Sequence, residues 1–303
     1  MKLRGIEYGG VFFAPGTFGY FGEKKSLSHK FFLRRSVFIS KTTTIFPYSQ
    51  PRAGNKKKKI VKKIGAGVIL SAEDISGPGF ESLVNTGKWQ KRKNPFFISV
   101  CFMENSPKEK IVEVRKVVKI LEKRKKEFKA DFGLFVCVYD PVDGDYFSLK
   151  NQTAEILEIL SILELPLVVE VSPSFPPDMA SELASDTNCN AIALRGTVAW
   201  DDMQNEAKEV FFRTQVSPLS RAQKGGFVFG KYVAPLSCEW LRQAKKFMLG
   251  KNLIGGGGIL NGNTALSFAQ SGATGIVLDR ANFLRPWNIQ KILRKAKKLF
   301  QKK

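Results

Sequence analysis

The chain has 303 residues, enough for one α/β barrel, which needs about 250 residues as a single unit, and its 43% hydrophobic content supplies an ordinary globular core. Its 49 Lys+Arg against 27 Asp+Glu leave a net charge of +22, a field that favours anionic metabolites and polyanions. With His29 as the only histidine and Cys101, Cys137, Cys189 and Cys238 scattered without a CxxC pair, a histidine-based zinc site, a Ser-His-Asp triad and a disulfide scaffold are set aside.

In chain order, Val11 to Ala14 and Val37 to Ser40 read as short buried strands, ending at Pro15-Gly16-Thr17 and Lys41-Thr42-Thr43-Thr44. A loop-rich insertion follows from about residue 45 to 94, long enough to act as a lid or a pocket wall. Phe96 to Phe102 is strand-like. The spacing of Ile111, Val114, Val117, Val118 and Leu121 predicts a helix over 107–129, with Ser106 as N-cap and Pro107 at its first position. Strands are then expected at Phe132 to Val138, Leu167 to Val171 and Ala191 to Leu194. Helices are expected at Thr153 to Leu163, Pro177 to Ser185 and Leu236 to Leu249. Residues 201–235 follow no regular period, and a basic amphipathic helix from Trp287 closes the chain. Strands alternating with helices about eight times, evenly to the end, predict a single-domain (β/α)8 TIM barrel over 1–303 rather than an open doubly wound sheet.

The most informative stretch is Asn252 to Pro286. An apolar run enters four glycines, Gly255 to Gly258, then a polar turn, a helix over 264–270 and a second strand over 274–278. That is a βαβ unit with a glycine loop at the C-terminal end of its first strand. Backbone N–H groups can hold a phosphate oxygen only where no Cβ blocks the approach, and late loops of parallel barrels often do so. The loop is therefore expected to carry a phosphate-bearing cofactor; the bland alternative is a flexible turn.

The lysine blocks at 56–59, 88–93, 123–129 and 291–303 fall mainly on polar faces and read as solvated surface, with no interleaved aromatics for base stacking. No long uncharged apolar run marks a membrane span, and the first residues carry no signal-peptide core. Together with reduced thiols, this gives a cytoplasmic expectation.

Taken together, the loop sequences resemble those of class 1 dihydroorotate dehydrogenases, FMN-dependent TIM barrels of pyrimidine synthesis. Ala14-Pro15-Gly16-Thr17-Phe18-Gly19 is similar to the family's ASGTFG. Ser40-Lys41-Thr42-Thr43-Thr44, followed by Pro51-Arg52, is similar to its KGTT segment, whose lysine contacts flavin and substrate. Pro78-Gly79-Phe80-Glu81 resembles the end of NAIGLQNPGVE. Gly225-Gly226 and Gly257-Gly258-Ile259 match its two phosphate-holding glycine elements, and Ala281-Asn282-Phe283 its terminal ANF. The resemblance spans almost the whole chain and implies FMN held by Gly16, Lys41, Thr42, Gly225, Gly226, Gly257, Gly258 and Arg280.

The departures fall on chemistry. The substrate-binding asparagine of NAIG aligns with Ser71. LNISCPN becomes Val136 to Val142, with Asp140 where the catalytic Cys or Ser base would stand. The lysine of VKLTPN is Glu170, and the asparagine of INT is Gly196. The last phosphate-binding Gly-Thr pair is Asp279-Arg280, where Arg280 could offset the repulsion of Asp279 by a charge-assisted hydrogen bond.

The resemblance implies oxidation of dihydroorotate or a similar anion, with Lys41 anchoring flavin and substrate, Ser71 facing the substrate and Asp140 as base. Asp140 reads equally as a turn carboxylate before Pro141. Two alternatives stand beside this reading. One is a diverged barrel that has lost the redox reaction and binds another anionic ligand. The other is a flavin enzyme acting on RNA, similar in fold to the tRNA dihydrouridine synthases and contacting nucleic acid through its basic surface; no room for a helical RNA-binding domain follows the barrel. Family members commonly dimerise, which makes a homodimer the expected assembly.

Overall fold

Eight short buried strands close on themselves in the computed structural model, which describes residues 1–22, 32, 34–48, 61–64, 67–72, 76–104, 106–138, 144–220, 223–248, 250–279 and 284–300. In chain order the strands are β1 (Lys2–Leu3), β2 (Ile6–Glu7), β3 (Val11–Phe13), β4 (Val37–Ile39), β5 (Thr43–Thr44), β6 (Val61–Ile64), β7 (Val68–Ser71), β8 (Phe96–Cys101), β9 (Phe132–Cys137), β10 (Leu167–Val171), β11 (Ala191–Leu194), β12 (Thr197–Ala199), β13 (Phe227–Gly230), β14 (Asn252–Gly256) and β15 (Gly275–Leu278). Strands β3, β4, β8, β9, β10, β11, β14 and β15 pair in parallel in that order. The β15–β3 and β4–β8 pairings complete the ring, so the barrel has no free edge. This is the predicted (β/α)8 barrel.

The helices are α1 (Phe80–Asn85), α2 (Pro107–Arg124), α3 (Tyr146–Ser161), α4 (Pro177–Ser185), α5 (Asn205–Phe212), α6 (Val233–Phe247), α7 (Gly262–Gln270) and α8 (Ile289–Phe300). Helix α2 starts as its sequence predicts: the Ser106 side chain accepts a hydrogen bond from the Glu109 N–H, and Pro107 occupies the first turn. Helix α3 begins seven residues before the expected Thr153, because Asp145 caps it by accepting from the Ser148 N–H. Helix α1, which a reading of 45–94 as loop misses, is six residues long. It buries Phe80, Leu83 and Val84 on one face, too short a run to establish a period.

Alternation along the strands divides the core in two. Phe12, Val37, Ile39, Phe97, Phe135, Val168, Ala193, Ile254 and Val277 point into the lumen, while their sequence neighbours pack outward beneath the helices. At the N-terminal end the lumen is stoppered by the β1–β2 hairpin. Leu3 and Tyr8 join the lumen cluster, and the Tyr8 ring lies 4.7 Å from that of Phe97.

Two excursions from the C-terminal ends of the strands build a second sheet. Antiparallel strands run in the order β12-β13-β7-β6, with β6 and β7 from the 45–94 insertion and β12 and β13 from the chain between β11 and α6. Val68, Leu70, Val198, Trp200, Leu219 and Val228 give this sheet its own small apolar cluster. Among the described residues no helix is long and apolar enough to cross a membrane.

Phe97 joins the hairpin stopper to the lumen and is fully buried. Phe97→Ala should cost about 3–5 kcal/mol, read as a lower urea midpoint at unchanged m-value.

Candidate active site

Two residues beyond the last apolar lumen positions, the same inward phase delivers polar groups. Phe97 is followed by Ser99, Phe135 by Cys137, Val168 by Glu170, Ala193 by Arg195 and Val277 by Asp279. The period of two therefore turns an apolar lumen into a polar layer at the C-terminal mouth, where parallel barrels place their chemistry.

The layer is continuously hydrogen-bonded. The Thr42 and Ser99 hydroxyls are 2.9 Å apart, and both approach Cys137 Sγ, at 3.7 and 3.8 Å. The Cys137 thiol donates to Glu170 Oε2 at 2.7 Å. On the other side of that carboxylate lies Arg195 Nε, at 3.5 Å, and Arg195 Nη2 donates to the Val138 carbonyl at 2.8 Å. Glu170 and Arg195 are both almost fully buried, so each charge has given up its hydration and depends on its partners. Burial first, and the adjacent Glu170 charge second, push the Cys137 thiol well above its usual range, which keeps it a neutral donor.

Lys41 leaves the end of β4 next to this layer. Its N–H donates to the Gly19 carbonyl at 2.8 Å, and its ammonium donates to the Ser76 carbonyl at 2.8 Å, 5.4 Å from the Tyr20 ring centroid. Gly16, at φ +84°, sits beside it: a Cβ there would come 3.6 Å from Lys41 Cγ. The structure thus brings Gly16, Lys41 and Thr42 to one side of the mouth.

The glycine loop forms a second part of the mouth. Gly257 and Gly258 have φ of +104° and +68°, and added Cβ atoms would strike Val233 and the Gly230 carbonyl. Gly230 itself (φ +101°) packs against the Gly67 carbonyl. Three backbone segments therefore meet where only glycine fits, beside the first turn of α6, whose N-terminus favours an anion. The Ser237 hydroxyl, buried on that helix next to Gly257, has no hydrogen-bond partner among the described residues. An adjoining cleft is lined by Lys231 and Arg285, together with Gly258, Asn261 and Thr264.

Gly225 and Gly226 are elsewhere. They lie just before β13, against Trp200, Ser217 and Leu219, whereas Gly230 ends it; the strand between them spans about 13 Å at the usual rise. The glycine packed against Gly258 is therefore Gly230. Ser71 ends β7 directly opposite Phe227, its hydroxyl donating to the Ala72 carbonyl at 3.2 Å. Asp140 and Arg280, with Arg52 and Ala281-Asn282-Phe283, lie outside the described residues.

Gly196 and Asp279 are sterically coupled. A Cβ at Gly196 would sit 2.7 Å from Asp279 Oδ2, so the missing side chain at 196 makes room for the carboxylate at 279. Likewise Glu170 is matched by Arg195 on the neighbouring strand. Reading the sequence strand by strand leaves out both Arg195 and Gly230; the two-residue inward phase would have pointed to the first.

A closed parallel barrel with charged groups, a lysine and a glycine loop at its C-terminal mouth has the architecture of an α/β-barrel enzyme. The comparisons specify it: the dihydroorotate dehydrogenase family model matches residues 1–300, and the chain belongs to that family, a dihydroorotate dehydrogenase-like oxidoreductase. The catalytic subunit of dihydroorotate dehydrogenase B (NAD(+)) of Petrotoga mobilis is 22% identical over 311 residues, covering 100% of this chain and 94% of that protein. The corresponding subunit of Caldicellulosiruptor bescii is 24% identical, over 94% of this chain and 88% of its own length. The crystal structure of Eimeria tenella DHODH in complex with ferulenol shares the fold, with a TM-score of 0.66 at 16% identity over 97% of this chain and 82% of that one.

Removing one member of the buried pair strands the other. Glu170→Ala is expected to destabilise by about 3–5 kcal/mol, while Glu170→Ala/Arg195→Met should recover part of that loss, read from chemical denaturation of both variants. All four cysteines are buried, so a thiol reagent at pH 8 should label none rapidly in the native protein and all four after denaturation.

Proposed function

We propose that the protein is an FMN-dependent oxidoreductase acting on dihydroorotate or a closely similar anion. The observation that carries this reading is the cradle of Gly230, Gly257 and Gly258 at the start of α6. Its backbone would collide with any added Cβ, and a buried Ser237 hydroxyl beside it lacks a partner. These residues fit the terminal phosphate of FMN, with Lys231 and Arg285 adding positive charge at the adjoining cleft.

When bound, FMN supplies the hydride chemistry. The chain's tasks are then binding, orientation and proton handling. Lys41, held by the Ser76 carbonyl and the Tyr20 ring, is positioned to anchor an anionic ring or carboxylate. Thr42 and Ser99 present hydroxyls at the barrel axis. The guanidinium of Arg195 places a fixed positive charge in the layer where the related lysine is absent, and Glu170 holds it there. Asp140, three residues after the last residue of β9, is assigned as the base that takes the substrate proton. Ser71, Gly16 and Arg280 complete the proposed set, whereas Gly225 and Gly226 are assigned to supporting the second sheet.

A second reading, a barrel that has given up redox chemistry, draws on the pairing of Glu170 with Arg195 and on the Asp279 carboxylate lying against Gly196. The Glu170 and Arg195 charges compensate one another without a ligand.

Anaerobic titration separates the two. Protein reconstituted with FMN should show flavin absorbance that bleaches on addition of dihydroorotate; a protein that stays colourless after FMN is added overturns the first reading. Gly258→Val should weaken FMN binding at least about tenfold through the steric block, measured by flavin fluorescence. Lys41→Ala should retain flavin but slow reduction by dihydroorotate about a hundredfold or more.

A further inference from the structure

A second cationic cleft lies at the opposite end of the barrel from the mouth. Val11, Val37 and Pro95 stand at or just before the N-terminal ends of β3, β4 and β8 and line a cavity of about 470 Å³, within the size range of small-molecule sites. Two arginines enter it from the segment before β4, Arg34 and Arg35, and two cations from α8, Arg294 and Lys297. Among the described residues that line it, Glu7 is the only carboxylate.

The arrangement differs from a solvated basic surface in three respects. It is concave, with Tyr8, Val11, Val37 and Pro95 in its wall, so part of any ligand would leave water and its charge would be screened less. Its cations come from two separate elements that line the same cavity, which suits a ligand with charge at more than one point. Those elements are also fixed. Arg294 and Lys297 are three residues apart and share one helix face, while the opposite face of α8 buries Ile289, Ile292 and Ala296. The end of that helix is pinned where Phe300 packs against Gly10. Guanidinium groups also match phosphate oxygens in paired, planar geometry.

We propose that this cleft binds a small anion carrying two or more linked phosphates, such as the polyphosphate of a nucleoside di- or triphosphate. Arg34, Arg294 and Lys297 by themselves carry more positive charge than a single carboxylate ligand would neutralise. The stopper of Leu3, Tyr8 and Phe97 separates the cleft from the mouth, so occupancy here is independent of the flavin site.

The test is calorimetric titration of the full chain with inorganic tripolyphosphate at fixed ionic strength. One saturable site is expected that survives Arg285→Glu at the mouth. Arg294→Glu/Lys297→Glu, and separately Arg34→Glu, should each weaken it at least about tenfold. Lys245→Glu/Lys246→Glu, an equal charge change on the exposed end of α6, should alter it less than about twofold. Circular dichroism confirms that each variant is folded. The proposal is overturned if binding is not saturable, if the α6 variant weakens it as much as the α8 variant, or if Arg285→Glu abolishes it. It is equally overturned if tripolyphosphate fails to bind while single-stranded RNA or anionic phosphatidylserine vesicles do. Flavin binding and reduction play no part in the readout, so failure of the proposed flavin chemistry leaves this result interpretable.

Discussion

The strict two-residue alternation of a closed parallel barrel is the constraint on which the rest depends. Each strand must send every second side chain into a lumen too narrow for water, so apolar residues fill it from the hairpin stopper up to Phe97, Phe135, Val168, Ala193 and Val277. The same geometry then leaves no choice about the next inward position. Ser99, Cys137, Glu170, Arg195 and Asp279 are carried to the mouth by the register of the residues beneath them. A charge there is tolerated only if its neighbours on adjacent strands answer it, and Glu170, with the Cys137 thiol on one side and the Arg195 guanidinium on the other, is answered twice.

That requirement ties together residues far apart in the chain. Arg195 balances Glu170 across the β10–β11 pair, and the space left at Gly196 is taken by Asp279.

The sequence predicts the barrel well because its strands are short apolar runs closed by unmistakable breakers: Leu167 to Val171 before Ser172-Pro173 and Ala191 to Leu194 before Arg195-Gly196 are found at their observed bounds. Segments whose order comes from tertiary contact were less legible. Among the described residues β6, β7, β12 and β13 pair only with one another, the β7–β13 pair joining segments more than 150 residues apart, and α1 and α5 are too short to show a period. The motif residues Gly16, Lys41 and Thr42 and the Gly257-Gly258 loop all lie at the C-terminal mouth. Gly230 was not distinguished from Gly225 and Gly226, because a glycine's neighbours depend on which backbones converge there and not on the residues beside it in the chain.

The sheet of β6, β7, β12 and β13 also bears on how the molecule assembles. Its two halves leave the barrel on either side of β8, β9, β10 and β11, so on their own they would meet only at a large entropic cost of closing the intervening loop. Once those four strands are in place, the ends are already neighbours and that cost has been met. The second sheet is thus conditional on the barrel, whereas the barrel makes no such demand of the sheet. Local opening of this sheet, with the closed ring intact, is therefore the expected first step of partial unfolding.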